Sequence, residues 1–119
     1  MSTALPRHVI DFASDLVPRE TEINDPAVVD APYRSKSWRH FVQPGKNAVA
    51  GIWEAGPHRE RCQCDYDELC HILEGTVRLT DAEGVARTFG PGDSFVVASG
   101  FNGTWENLTQ VRKVYFILG

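Results

Sequence analysis

The chain has 119 residues, of which 42% are hydrophobic and 24% are charged, as in an ordinary soluble protein with a single domain. Its net charge of -4 argues against a nucleic-acid-binding surface. No segment approaches the ~20 consecutive apolar residues of a membrane span, and the N-terminal residues have no signal-peptide core. We therefore predict a cytoplasmic protein with no nucleic-acid partner and no membrane partner.

Residues 1–37 differ in composition from the rest of the chain. Prolines at positions 6, 18, 26 and 32 break any long helix, and apolar residues are sparse. We predict an N-terminal arm over residues 1–37 that packs on the main body or on a partner subunit, where Ile10, Phe12, Val28 and Val29 dock. Such an arm covers a sheet edge or exchanges with a second copy, so we predict a homodimer.

Residues 38–119 show the spacing of an all-β domain. Short apolar segments are separated by turn signals every eight to twelve residues or so, which leaves little room for helices. Composition alone allows either an immunoglobulin-type sandwich or a double-sheet jelly roll. The predicted strands cover residues 38–42, 48–55, 59–64, 68–73, 77–79, 85–89, 94–98, 103–107 and 111–118.

One run, residues 56–75, concentrates the groups that carry chemistry. It contains Cys62, Cys64 and Glu68, with a glycine at each end. Alternation along an extended strand places Cys62 and Cys64 on one face. We expect a second strand, starting at Glu68, to fold back beside the first and to bring this carboxylate to the thiols. Two soft donors and a carboxylate suit a borderline metal ion.

The spacing of this run, G-x5-C-x-C-x3-E-x6-G, resembles the first motif of the cupin superfamily, with cysteines at the positions of two histidines. The second cupin motif follows at the expected distance through Gly92, Ala98, Gly100, Gly103 and Asn107. The amino-acid sequence of residues 67–75 further resembles that of the cupin domain of ureidoglycine aminohydrolase and of the ethanolamine-utilisation cupins. The resemblance implies a cupin-type double-stranded β-helix (jelly roll) over residues 38–119.

Three of the four metal-ligand positions of the cupin pattern carry a different residue here. Gly103, which replaces the third histidine, has no donor. We therefore favour no cofactor, although a divalent ion (Zn, Fe, Mn or Ni) would take Cys62, Cys64 and Glu68 if one were bound. The odd number of cysteines fits a reducing compartment, and residues i and i+2 of a strand are poorly spaced for a disulfide.

The remaining pocket candidates follow from strand parity. Lys113 and Tyr115 share one face of the last strand, where Lys113 would supply the counter-charge that a buried Glu68 requires. We expect the other face, with Val114, Phe116 and Leu118, to pack between the sheets. The predicted pocket contains Cys62, Cys64, Glu68, Trp105, Lys113 and Tyr115. We place His58 on a solvent-facing rim, and parity excludes His71 from the pocket.

Three functions remain open at this point. The first is a small-molecule-binding cupin of unassigned substrate, whose barrel pocket holds a polar metabolite beside a degenerate metal site. The second is a metal-dependent enzyme of aminohydrolase or oxygenase type that uses Cys62, Cys64 and Glu68. The third is a non-catalytic regulatory or interaction module. A fold hosts many chemistries, so the sequence leaves open whether the protein is an enzyme.

Overall fold

The computed structural model describes residues 4–119, which form ten strands. The 3-10 turn Pro44–Lys46 is the only helical element in this part of the chain. The strands are β1 (Arg19–Ile23), β2 (Tyr33–Gln43), β3 (Ala48–Ala55), β4 (His58–Gln63), β5 (Asp67–Glu74), β6 (Val77–Asp81), β7 (Ala86–Phe89), β8 (Ser94–Val97), β9 (Asn102–Asn107) and β10 (Val111–Leu118).

The strands are arranged in two antiparallel sheets. The larger sheet has the order β1-β2-β3-β10-β5-β8, and the smaller sheet has the order β4-β9-β6-β7. The chain crosses repeatedly from one sheet to the other, as it does in a double-sheet jelly roll. The prediction of an all-β cupin-type jelly roll is confirmed.

The expected pairing of the two strands in residues 59–73 is wrong. β4 pairs with β9 in the smaller sheet, where Cys62 lies opposite Gly103, whereas β5 pairs with β10 and β8 in the larger sheet. Cys64 explains the difference, because its amide donates to the carbonyl of Phe101 at 2.9 Å and its carbonyl accepts from Gly100 at 2.8 Å. The chain therefore stays beside the smaller sheet through Cys64 and crosses over in the turn that follows.

One face of β10 lies as expected, but the other does not pack between the sheets. Lys113 and Tyr115 point inward and are 6% and 5% exposed, whereas Phe116 and Leu118 lie on the outside. The register gives the reason, because Tyr115 lies opposite the buried Cys70 and therefore shares its face. The core between the sheets contains Cys70, Ile72, Val77, Val97, Trp105 and Val111.

The N-terminal arm is joined to the body at several points. We placed the start of the barrel at residue 38, but β2 already begins at Tyr33. β1 pairs with β2 at the edge of the larger sheet. Val29 is buried and forms an isolated bridge with Glu60 of β4. The Arg61 guanidinium holds the same segment, donating to the carbonyls of Pro26 and Ala27. Residues 1–3 of the predicted arm lie outside the described residues.

Candidate functional site

A cavity of about 300 Å³ is lined by side chains from both sheets. Each strand that contributes more than one residue contributes residues of a single parity, as expected when successive side chains of a strand point to opposite faces. Three of the six predicted pocket residues line it, namely Glu68, Lys113 and Tyr115. The complete lining is Tyr33, Ser37, Arg39, Val49, Trp53, Glu60, Tyr66, Glu68, Lys113, Tyr115 and Ile117.

A buried ion pair forms one wall of the cavity. The ammonium of Lys113 donates to Oε2 of Glu68 at 2.8 Å, and both side chains are almost fully buried. The same ammonium lies 4.1 Å from the ring centroid of Trp105 and 4.7 Å from that of Trp53, within range of cation–π attraction. Burial lowers the pKa of Lys113, but the negative charge of Glu68 outweighs this and leaves the pKa raised. Lys113 is therefore charged at neutral pH.

Glu60 is a second carboxylate in the cavity, and the sequence analysis missed it. The Tyr33 hydroxyl donates to its Oε2 at 2.6 Å, and His58 Nε2 lies 3.9 Å from its Oε1. Burial raises the pKa of Glu60, but His58, the Tyr33 hydroxyl and the charge of Lys113 together lower it further. Glu60 is therefore ionised at neutral pH. Strand parity could have identified Glu60, because residues 58, 60, 62 and 64 of the same extended segment point to one face.

The prediction of a solvent-facing His58 is wrong. Its side chain is 3% exposed, and its ring is stacked on Tyr33 with centroids 3.5 Å apart. Its Nδ1 lies 2.9 Å from the carbonyl oxygen of Gly56, whereas Nε2 is buried without a hydrogen-bond partner among residues 4–119. Tyr33 explains the burial, since this residue of the predicted arm covers the ring.

Replacing Glu60 with glutamine is expected to destabilise the protein at pH 7 by about 1–3 kcal/mol, because a charged acceptor is lost. The folded-state pKa of Glu60 is lowered from its usual 4.5, so its stabilising contribution is present above that pH and is lost as the pH falls through the folded-state value. Urea unfolding of both proteins between pH 7 and pH 3 should show a gap that narrows below about pH 4.5. The exposed Glu83→Gln variant is the control, and a gap independent of pH contradicts the expectation.

Cys62 and Cys64 do not line this cavity. They border a second hollow of about 600 Å³ beside Val28, and Glu60 and Tyr66 line both spaces. Burial raises the pKa of the Cys62 thiol to about 12 and also raises that of Cys64. Both groups are therefore neutral thiols at pH 7, whereas nucleophilic attack requires a thiolate.

Trp105 supports the cavity from below. It is 5% exposed, and its indole Nε1 donates to Oδ1 of Asn107 at 2.7 Å. Asn107 in turn donates to the carbonyls of Ala55 and Gly56, at 3.2 Å each. Trp105 therefore belongs to the core, and it reaches the site through its contact with the Lys113 ammonium.

The residues in the barrel do not fit a resident metal ion. Cys62 and Cys64 lie on the smaller sheet, while Glu68 lies on the larger sheet and already binds an ammonium. A Cβ added at Gly103 would lie 2.0 Å from the carbonyl oxygen of Thr80, so no donor side chain fits there without a backbone shift. Within residues 4–119, no three His, Cys, Asp or Glu side chains are grouped closely enough to hold a metal.

Comparison with known proteins places this site in a family. The model of the EutQ-like cupin domain matches residues 42–115, which is more than half of the chain. The chain belongs to the EutQ-like cupin family. This confirms the resemblance to a small single-domain cupin of the ethanolamine-utilisation group. No functionally curated protein matches the sequence.

Several solved structures share the fold of this EutQ-like cupin. A DUF861 family protein of unknown function from Pseudomonas syringae pv. tomato has a TM-score of 0.77 and 25% identity over 91% of this chain. The match covers 46% of that protein, so this chain spans about half its length. A putative ethanolamine utilisation protein EutQ from Salmonella typhimurium has a TM-score of 0.63 and 17% identity, covering 88% of this chain and 98% of its own.

A third structure is more similar in sequence over a shorter range. A DUF861 family protein from Thermotoga maritima is 34% identical, with a TM-score of 0.52, over 54% of this chain and 73% of its own.

None of the helices within residues 4–119 is long and apolar enough to cross a membrane.

Proposed function

We propose that this EutQ-like cupin binds a small polar metabolite in the cavity that Glu60, Glu68, Lys113 and Tyr115 line. The observation that carries the proposal is the concentration of buried charge at one hollow. Removing a carboxylate or an ammonium from water costs several kcal/mol unless the group is paired, and proteins concentrate such groups where they meet ligands. Glu68 and Lys113 offset the cost of burial by pairing with each other, and the pair presents a fixed dipole to the cavity.

The other lining residues suit recognition of a polar molecule. The Tyr115 and Ser37 hydroxyls are hydrogen-bonded to each other at 2.9 Å, and Trp53 offers an apolar wall. Binding sites of this kind combine a mainly apolar surface with a few placed polar groups. A volume of about 300 Å³ lies at the lower end of ordinary ligand sites, so it suits a metabolite rather than a polymer.

The test is a screen of small polar metabolites by two-dimensional amide NMR at millimolar concentrations. We expect some members of the panel to shift resonances of the residues that line the cavity. Val49 lines the cavity, so a Val49→Phe variant should reduce the affinity of these ligands by at least about tenfold. Val85 is 67% exposed and lies outside the lining of the cavity, and Val85→Phe should leave binding unchanged.

Two results would overturn the proposal. One is a panel that produces no shifts at the cavity, which favours the non-catalytic interaction module. The other is binding that Val49→Phe leaves intact, since the ligand would then sit elsewhere. A ligand that is converted during the experiment, seen as new resonances of product, would assign an enzyme activity to the same cavity.

We also propose that the cavity works without a resident metal. The protein should carry far less than one ion per chain after expression in medium supplemented with zinc, iron, manganese and nickel under reducing conditions. Elemental analysis of the purified protein is the measurement. Near-stoichiometric metal that disappears in the Cys62→Ser, Cys64→Ser double variant would instead favour the metal-dependent enzyme.

We propose that two copies of the chain pair in the cytoplasm. The odd number of cysteines supports the location. An apolar row that crosses the outer face of the larger sheet supports the pairing, because an exposed patch of this kind marks an interface. Phe41 and Phe116 lie opposite the buried Ala50, and the row continues from Phe116 through Leu69 to Val96.

Light scattering should give a mass of about twice the 13.3 kDa of one chain. A double substitution, Leu69→Glu with Phe116→Glu, should shift the protein to the monomer because it places charges in the row. Val85 is 67% exposed next to β7 of the other sheet, and Val85→Glu is the matched control. A native chain that remains a monomer at high micromolar concentration contradicts the proposal.

A further inference from the structure

Glu60 differs from the other buried charged groups that line the cavity. The side chains of Glu60, Glu68 and Lys113 are 20%, 12% and 8% exposed, whereas Arg39 is an exposed residue of the lining. Glu68 and Lys113 are paired at 2.8 Å. Glu60 forms no ion pair with a lysine or an arginine among residues 4–119, and the basic group beside it is the His58 ring.

Glu60 has one unsatisfied oxygen. Its Oε2 accepts from the neutral hydroxyl of Tyr33, but Oε1 has no donor among residues 4–119, since His58 Nε2 is 3.9 Å away. His58 Nδ1 lies 2.9 Å from the Gly56 carbonyl oxygen, and its Nε2 is buried without a hydrogen-bond partner among the same residues. Oε1 of Glu60 therefore has no hydrogen-bond donor from the protein, and a ligand that donates to it would satisfy the carboxylate.

The walls around Glu60 are aromatic. Tyr33, Trp53 and Tyr66 line the same cavity as its carboxylate. Aromatic faces carry negative charge density and attract cations, most strongly where water is excluded. The barrel already uses this attraction once, for the Lys113 ammonium between Trp53 and Trp105.

We infer that the metabolite bound in this cavity carries a primary ammonium group, which binds Oε1 of Glu60 among the rings of Tyr33, Trp53 and Tyr66. The inference rests on the proposed function and specifies its ligand class. An ammonium supplies N–H donors for Oε1 of Glu60 and a positive charge beside this carboxylate. The Lys113–Glu68 pair remains intact in the bound state, because its charges already neutralise each other.

The experiment compares three probes of one shape, namely benzylamine, benzyl alcohol and benzoate, by amide NMR titration at pH 7. Benzylamine is the cation at this pH, and its ring is small enough for the cavity. We expect benzylamine to bind at least about tenfold more tightly than benzyl alcohol, and benzoate to bind most weakly. The shifts should centre on Glu60, Tyr33 and Tyr66.

Three variants assign the preference to one carboxylate. Glu60→Gln removes the charge while it keeps an acceptor for the Tyr33 hydroxyl, and it should bring the affinities of benzylamine and benzyl alcohol within about twofold of each other. Glu60→Asp keeps the charge and should keep part of the preference for the cation. Glu83→Gln removes an exposed carboxylate elsewhere and should change nothing. The amide spectrum of each variant reports whether it is folded.

The outcomes separate this inference from the proposed function. Equal or tighter binding of the alcohol or benzoate, or a cation preference that survives in Glu60→Gln, overturns the ammonium assignment and leaves a ligand-binding cavity. If no probe and no member of the metabolite panel shifts the lining residues, both the inference and the proposed function fail.

Discussion

Replacing Lys113 with methionine is expected to lower the free energy of unfolding by about 3–5 kcal/mol, because Glu68 would be left as an unpaired charge in a nearly dry wall. The two groups meet at 2.8 Å, and Lys113 as a whole is 6% exposed. The variant also loses the attraction of the ammonium to two indole rings. Urea unfolding at pH 7 and fixed protein concentration measures the loss.

A double-mutant cycle tests whether the pair itself is responsible. Glu68→Leu alone should cost about as much as Lys113→Met, since it strands the ammonium instead. The double variant should recover most of the loss, because an apolar pair of similar volume is often as stable as a buried ion pair. Lys46→Met, at an exposed lysine, should stay within about 0.5 kcal/mol of the native chain. Costs that simply add would show that the two residues act independently.

The fold and half of the predicted pocket could be derived from the sequence. The spacing of residues 56–75 and of the second motif predicts a cupin, and the family match confirms it. Strand parity then places Glu68, Lys113 and Tyr115 at the cavity. Parity works here because a carboxylate and an ammonium can both face an interior only if they meet, so each residue predicts the other.

The choice of the inter-sheet face was wrong for β10, where both faces carry apolar residues. Val114, Phe116 and Leu118 make the more apolar face of β10, and we therefore assigned them to the space between the sheets. The structure places Phe116 and Leu118 outside, at 41% and 47% exposure. A count of apolar residues assigns the buried face of β10 to these three residues. Lys113 can lie on the buried face instead, because its charge is paired with that of Glu68. The exposed row on the outer face is consistent with the proposed pairing of two copies.

The contacts around Glu60 could not be derived from the sequence because they join distant segments. Tyr33 and Glu60 are 27 residues apart, and Tyr33 lies in the proline-containing region that we interpreted as a peripheral arm. Only the path of the chain across β4, fixed by Arg61 and the bridge at Val29, brings this tyrosine over His58. Sequence periodicity describes a single strand, whereas this site depends on how the arm crosses another one.

Asn107, the last residue of the second cupin motif, holds the floor of the barrel together, and its removal is the second large effect we expect. It is 2% exposed, accepts from the Trp105 indole, and donates to the carbonyls of Ala55 and Gly56. Asn107→Ala leaves the Trp105 indole N–H and the Ala55 carbonyl without this partner at about 1–3 kcal/mol each, whereas the Gly56 carbonyl keeps His58 Nδ1, so urea unfolding should show a loss of about 2 kcal/mol or more. Asn107→Asp keeps the acceptor for the indole but not the donor, and its stability should fall between those of the native chain and the alanine variant.

Asn102→Ala, at an exposed position of the same strand, should change the stability by less than about 0.5 kcal/mol. Equal losses in the two alanine variants would mean that the strand, rather than the buried amide, sets the stability. A loss confined to Asn107 would show that this motif position is required for the packing of Trp105 beneath the Lys113 ammonium.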